Sequence, residues 1–194
     1  MMSISNAAPA QTVGDRILDA AASCVLAYGV DRVTLAEIAR RAGVSRPTVY
    51  RHFPDVRSIL ASLLTLRITR TLDEVPSGGV GRAHLVDRVV GIARLLLREP
   101  VIMAVLHQDP DLAMVYLSER LGTSQLILLD TVADEIAAAQ ADGSVRAGDV
   151  RKLAAMCLLI AQSTILSADL VTPILDADAL AVELAHALNG YLTP

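Results

Sequence analysis

The strongest constraint in this chain is residues 34–53, TLAEIARRAGVSRPTVYRHF, where two short helical patterns are separated only by Ala42-Gly43-Val44. Leu35, Ile38, Ala39 and Ala42 recur at helical spacing, so the first segment has one apolar face and carries Glu37, Arg40 and Arg41 on the other. Gly43 can adopt the left-handed backbone that stops a helix and turns the chain, with Val44 as an apolar plug at the corner. Ser45 can cap the next helix through its hydroxyl, and Pro47 stands where a missing backbone N–H costs little. Val49 and Phe53, four residues apart, are expected to face the core. The opposite side then presents Arg46, Pro47, Thr48, Tyr50, Arg51 and His52. Helices joined this tightly spell a helix-turn-helix, and the outer side of the second suits the phosphates and base edges of DNA.

A net charge of −4 opposes such a role only if charge is spread evenly. It is not: residues 1–70 hold nine arginines against five acids, net +4, while residues 71–194 hold eight bases against sixteen acids, net −8. A basic head is followed by an acidic body. With 53% hydrophobic residues, 3% aromatic and no tryptophan, alanine and leucine at helical spacing predict an all-α protein. About nine helices fit the pattern, arranged as a small N-terminal domain joined to a larger one.

Taken in order, residues 1–12 are expected to form a disordered arm. A first helix over 14–28 places Ile17, Ala21, Cys24, Val25 and Tyr28 on one side and stops at Gly29. Thr34 and Glu37 have capping-box spacing for the next helix. The helix-turn-helix domain is assigned to residues 13–54, and a connecting helix to 55–75 with Leu60, Leu63, Leu64 and Ile68 inward. Residues 76–81, PSGGVG, are a linker. An effector-binding and dimerisation domain over 82–194 follows, with helices predicted at 84–98, 100–107, 111–141, 149–170 and 178–192. The 149–170 segment is apolar nearly all round, which a helix tolerates when protein surrounds it. In the last helix Leu180, Leu184, Leu188 and Tyr191 make one stripe, flanked by Ala181 and Ala185. Pairing of these two helices with their copies would complete the burial and make a homodimer.

The run T-L-A-E-I-A-R-R-A-G-V-S-R-P-T-V-Y-R-H-F-P-D, preceded by A-x-x-x-x-x-x-G-V-D-x-V-T-L and followed by a long helix, resembles the DNA-binding head of the TetR family of bacterial regulators. The resemblance covers about residues 15–64. It implies a dimer whose paired recognition helices read a roughly palindromic operator on double-stranded DNA. Arg40, Arg41, Tyr50, Arg57 and the backbone near Thr34 would meet phosphates. Ser45 opens the second helix, and Arg46, Pro47, Thr48, Arg51 and His52 would reach base edges. Guanidinium forks suit guanine O6 and N7, whereas proline and the threonine methyl suit a thymine methyl. One departure is that the family carries a lysine where Val56 stands, with Arg57 one position on.

The body is expected to hold a small apolar or amphipathic effector that pushes the connecting helix and releases the operator, making the chain a repressor. Candidate effector contacts are Met103, His107, Leu117, Leu121, Gln125, Met156, Ile160 and Gln162, with Leu106, Met114 and Leu128 beside them. A constitutive DNA-binding dimer without an effector is the alternative. An enzyme, or an interaction module that merely carries a helix-turn-helix, stands further off. No G-x-S-x-G, phosphate-loop or H-E-x-x-H pattern occurs, and His52, His84, His107 and His186 lie in separate segments. No catalytic residue, metal site or cofactor is therefore expected. Cys24 and Cys157, lone and far apart, read as buried free thiols. Residues 1–12 lack a signal-peptide pattern, and the uncharged run over 153–168 is shorter than the roughly 20 residues of a membrane span. The expected location is the cytoplasm.

Overall fold

The computed structural model describes residues 11–108 and 122–194, which form nine α-helices, one 3-10 turn and no strand. The chain divides into two compact units, Met1–Leu63 and Leu64–Pro194.

In the first unit, capping chemistry sets the helix starts. Thr12 accepts from the Asp15 backbone N–H at 3.1 Å, and the Asp15 carboxylate accepts from the Thr12 N–H at 3.0 Å. This box opens α1, Val13–Tyr28, so Thr12 belongs to the helix and not to the arm. Residues 1–10 of the arm lie outside the described residues. Gly29 ends α1, the turn Val30–Arg32 follows, and Thr34 caps α2, Leu35–Ala42. A sharp turn leads to α3, Arg46–His52, and Asp55 accepts from the Ser58 N–H at 2.7 Å to open α4, Val56–Glu74. Ile17, Ala21 and Cys24 of α1, Ile38 of α2, Val49 of α3, and Ile59 and Leu63 of α4 are each 0% exposed, and α2 packs on both α1 and α3. Tyr28 departs from the expected inward stripe: it is 45% exposed, because its ring is taken up by an arginine of α2.

The second unit holds the rest of α4 with α5, Gly81–Arg98; α6, Pro100–Gln108; α7, Thr123–Ala141; α8, Val150–Val171; and α9, Ala177–Leu192. Helices α5, α7, α8 and α9 pack on one another around Leu85, Val86, Ile136, Ala154, Cys157, Leu188 and Leu192. The expected long helix over 111–141 is not continuous. Gly122 is extended (φ −71°, ψ 171°) and α7 starts after it, while residues 109–121 lie outside the described residues. The buried stripe of α9 is Ala181, Leu184, Leu188 and Leu192, so its edge falls one residue beyond the expected Tyr191.

Three polar clasps close this unit. Arg88 of α5 is paired with Glu135 of α7, its side chain only 9% exposed. Arg82 donates its N–H to Ser144 Oγ at 2.8 Å and its Nη1 to Thr193 Oγ1 at 2.7 Å. Arg146 bonds the carbonyls of Leu192 and Tyr191 and lies 4.6 Å over the Tyr191 ring. Between these contacts α8 keeps an uncovered flank. By length and composition, with a mean hydropathy of 1.7, it would pass for a membrane span, and only 22% of that stretch is buried.

Candidate nucleic-acid interface and ligand cavity

The α2–α3 corner is built as its residues dictate. Gly43 has φ +64°, and the Val44 N–H reaches back to the Ala39 carbonyl at 3.1 Å. No atom stands within 4 Å of the position of a Cβ at Gly43, so backbone conformation, not space, is what selects glycine there. Ser45 Oγ accepts from the Thr48 N–H at 3.2 Å, and Pro47 occupies the first turn of α3. Val49, fully buried, anchors α3 to the core. That anchor leaves Arg46, Pro47, Tyr50, Arg51 and His52 exposed together, with Thr48 half-buried. Thr34, Arg40 and Arg46 rim one open depression between α2 and the start of α3. Arg57 is exposed in the first turn of α4, beside a half-buried Val56.

The structure separates two arginines that look alike in sequence. Arg40 lies along the Glu37 carboxylate, Nε at 2.9 Å and Nη2 at 2.6 Å, yet its side chain stays 68% exposed. Arg41 turns back to α1: Nε meets Glu37 at 3.0 Å, Nη2 meets the Tyr28 hydroxyl at 2.7 Å, and Nη1 meets the Ser23 carbonyl at 3.2 Å. Glu37 thus joins both guanidiniums instead of closing the capping box with Thr34, which accepts from the Glu37 N–H on its own.

Hydrogen bonds from Arg40 and then Arg41 hold the Glu37 carboxyl down, from an ordinary 4.5 to about 2. A carboxyl with a depressed folded pKa stabilises the fold fully above its unfolded value, and that contribution fades as pH falls toward the folded one. The thermal midpoint of the head should therefore drop on acidification from about pH 5 to about pH 2, and Glu37→Gln should flatten that drop. Identical acid slopes in both proteins would dismiss the network as a source of stability.

A cavity of about 100 Å³ lies within the second unit. Its walls are Leu64 and Ile68 of α4; Val89, Ile92, Ala93 and Leu96 of α5; Ile102 and Leu106 of α6; Gln125, Leu128 and Val132 of α7; and Cys157, Leu158, Ala161, Gln162, Ile165 and Leu166 of α8. No charged side chain is among these described residues. Burial pushes the Cys157 thiol up to about 11. The polar groups are the two glutamines: Gln125 Oε1 accepts from the Gly122 N–H at 2.8 Å, and Gln125 Nε2 donates to Gln162 Oε1 at 3.0 Å.

Of the effector candidates, Gln125 and Gln162 stand on the cavity wall, together with Leu106 and Leu128. Met103 and Ile160 are half-buried away from it, and Met156 points outward, 41% exposed. His107 is placed with Nδ1 3.4 Å from the Asp169 carboxylate. Met114, Leu117 and Leu121 lie outside the described residues. Sequence reasoning missed the α4 and α5 walls entirely, along with Ile102 of α6, Val132 of α7 and most of the α8 wall, because their aliphatic spacing is that of any core helix.

A head of this construction, with a basic recognition helix braced on a three-helix core, defines a helix-turn-helix transcriptional regulator. The sequence profile of "Bacterial regulatory proteins, tetR family" matches residues 17–63, nearly coincident with the first unit. An uncharacterised HTH-type transcriptional regulator of Mycobacterium tuberculosis (strain ATCC 25618 / H37Rv) is 60% identical over 192 residues, covering 99% of this chain and all of that protein. The chain belongs to the TetR family of bacterial regulators. Among solved structures, the Rhodococcus erythropolis TetR-family repressor QsdR superposes with a TM-score of 0.66 at 21% identity, over 96% of this chain and 98% of that one. FadR from Bacillus subtilis, in complex with stearoyl-CoA, gives 0.65 at 20% identity, over 91% and 98%. At these identities the two structures speak for the fold.

Proposed function

We propose that the protein is a repressor that binds a palindromic operator as a homodimer and leaves it when a small apolar or amphipathic ligand fills the body. The observation that carries the ligand-released reading, over a constitutive DNA-binding dimer, is the apolar cavity, which has α4 as one wall. Helix α4 begins in the head and ends in the body, so displacing its cavity-facing half moves the element on which the head is built. The repressor QsdR and the stearoyl-CoA complex of FadR share the fold, which supports both halves of the proposal.

Dimerisation is supported by apolar side chains left in the open on the last two helices: Met156, Leu159 and Leu170 of α8 and Val182 of α9 are 41%, 55%, 81% and 52% exposed. A monomer has no use for such a surface, and a two-fold partner buries it. In the bound state Arg40, Tyr50, Arg57 and the backbone near Thr34 take phosphates, and Arg41 braces Arg40 through their shared carboxylate. Arg46, Pro47, Thr48, Arg51 and His52, on the helix capped by Ser45, take base edges.

Duplexes selected from a random pool should converge on an inverted repeat. A ligand found by thermal-shift screening should bind the free protein more tightly than the operator complex, by about 1.4 kcal/mol for each tenfold loss of operator occupancy. Equal affinity for both forms would end the release mechanism. Arg51→Ala should relax base preference at one position of each half-site by about 1–3 kcal/mol, whereas Arg40→Ala should weaken all sequences alike and lower the salt slope by about 1. Competition binding against single-base operator variants separates the two behaviours, and equal loss of selectivity from both would undo this division of contacts.

A further inference from the structure

We infer that the cavity ligand is uncharged and presents a hydrogen-bond acceptor, a carbonyl or ester oxygen, to the side-chain amide of Gln162. This deepens the ligand-released reading above and rests on it. The polarity of the glutamine pair is set from the backbone outward. The Gly122 N–H can only donate, so the Gln125 atom it meets is the oxygen. The other end of Gln125, which is 4% exposed, is then the NH₂ group, and the Gln162 atom it meets must be the oxygen as well. What remains on Gln162 is its own NH₂ group, which has no partner among the described residues. Among the described residues, the cavity wall therefore offers an amide donor at Gln162 beside aliphatic side chains and the Cys157 thiol.

A carboxylate or an ammonium entering this site would meet no opposite charge among the described wall residues. Burying an unpaired charge costs far more than one amide hydrogen bond returns. A donor-only head group would also face the Gln162 N–H edge with like polarity. A neutral acceptor on an aliphatic body satisfies both the amide and the leucine and isoleucine walls.

The test compares three probes with the same hydrocarbon chain on the full-length protein: methyl decanoate, decanoate and decylamine, by displacement of a bound apolar dye. Methyl decanoate should bind at least about tenfold more tightly than either charged probe. Gln162→Glu keeps an oxygen for Gln125 and turns the free donor into an acceptor, so the ester should weaken about tenfold and decylamine should become the tightest of the three. Gln162→Leu should weaken the ester about fivefold relative to the apolar dye in the same variant. Far-ultraviolet circular dichroism and thermal midpoints show whether each variant folds. Should Gln162→Glu fail to fold, the wild-type ranking and Gln162→Leu still decide.

A wild-type preference for decanoate or decylamine, no binding by the ester, or ester affinity indifferent to Gln162→Leu overturns the inference. Operator binding separates this from the reading beneath it. An ester that binds through Gln162 yet leaves operator affinity unchanged removes ligand release and leaves the ligand class standing. Release by decanoate or decylamine does the reverse.

Discussion

Replacing Leu159 with arginine is expected to convert the proposed homodimer into a monomer and to reduce operator affinity by about 10²–10⁴. Leu159 is 55% exposed on α8, so its own chain loses almost no packing when it changes. Two-fold symmetry would place the new charge in the interface twice, each copy without a paired anion and beside its apolar neighbours. Each head would then bind a half-site alone, without the effective concentration supplied by its twin. Analytical ultracentrifugation and operator titration of the same sample measure both effects, with circular dichroism as the check that the helices persist. A variant that stays dimeric with wild-type affinity would move the interface away from α8.

A comparable loss should come from Ile38→Ala, through stability and not assembly. Ile38 is fully buried on α2, which packs on α1 and α3, so truncation removes transfer energy and leaves a cavity, together about 2–5 kcal/mol. A unit ending at Leu63 has a small core and little reserve against such a loss. The expected outcome is a separate, lower melting transition for the head, loss of operator binding, and dye binding in the body cavity at wild-type strength. Calorimetry with parallel dye titration reads all three. One unshifted transition would mean that the head does not melt as its own unit.

Much of the head was legible because its instructions are local. Gly43 can be read as a stop since few other residues accept a positive φ, and Ser45 and Thr34 as caps since their hydroxyls reach backbone N–H groups two or three residues on. The inward row Leu60, Leu63, Leu64 and Ile68 follows from helical period alone, and all four are buried. What sequence reasoning missed depends on distant partners. Tyr28 looks like a core residue by spacing, and only the arrival of Arg41, thirteen positions on, draws its ring to the surface. Arg40 and Arg41 are adjacent in sequence, but about 100° of helical rotation points one outward and the other at α1. The break at Gly122 was hidden because nearly unbroken aliphatic spacing runs through it, and glycine inside such a pattern is often tolerated. The cavity walls on α4 and α5 carry no signal that separates a lining leucine from a packed one. Gln125 and Gln162 were found because a polar side chain in an apolar run is conspicuous in one dimension as well as in three.

The Arg82 clasp bears on the order in which the molecule is assembled. Its bond to Thr193 spans 111 positions, and Arg146 likewise waits for Tyr191, whose carbonyl its guanidinium holds, and for Leu192, whose carbonyl its backbone N–H holds. The core of the second unit also includes Leu184, Leu188 and Leu192 of α9. The first unit, by contrast, gathers its contacts among residues up to Leu63. During synthesis the reader of DNA can therefore take shape while most of the chain is still unmade, and the part that would silence it closes only after α9 has emerged.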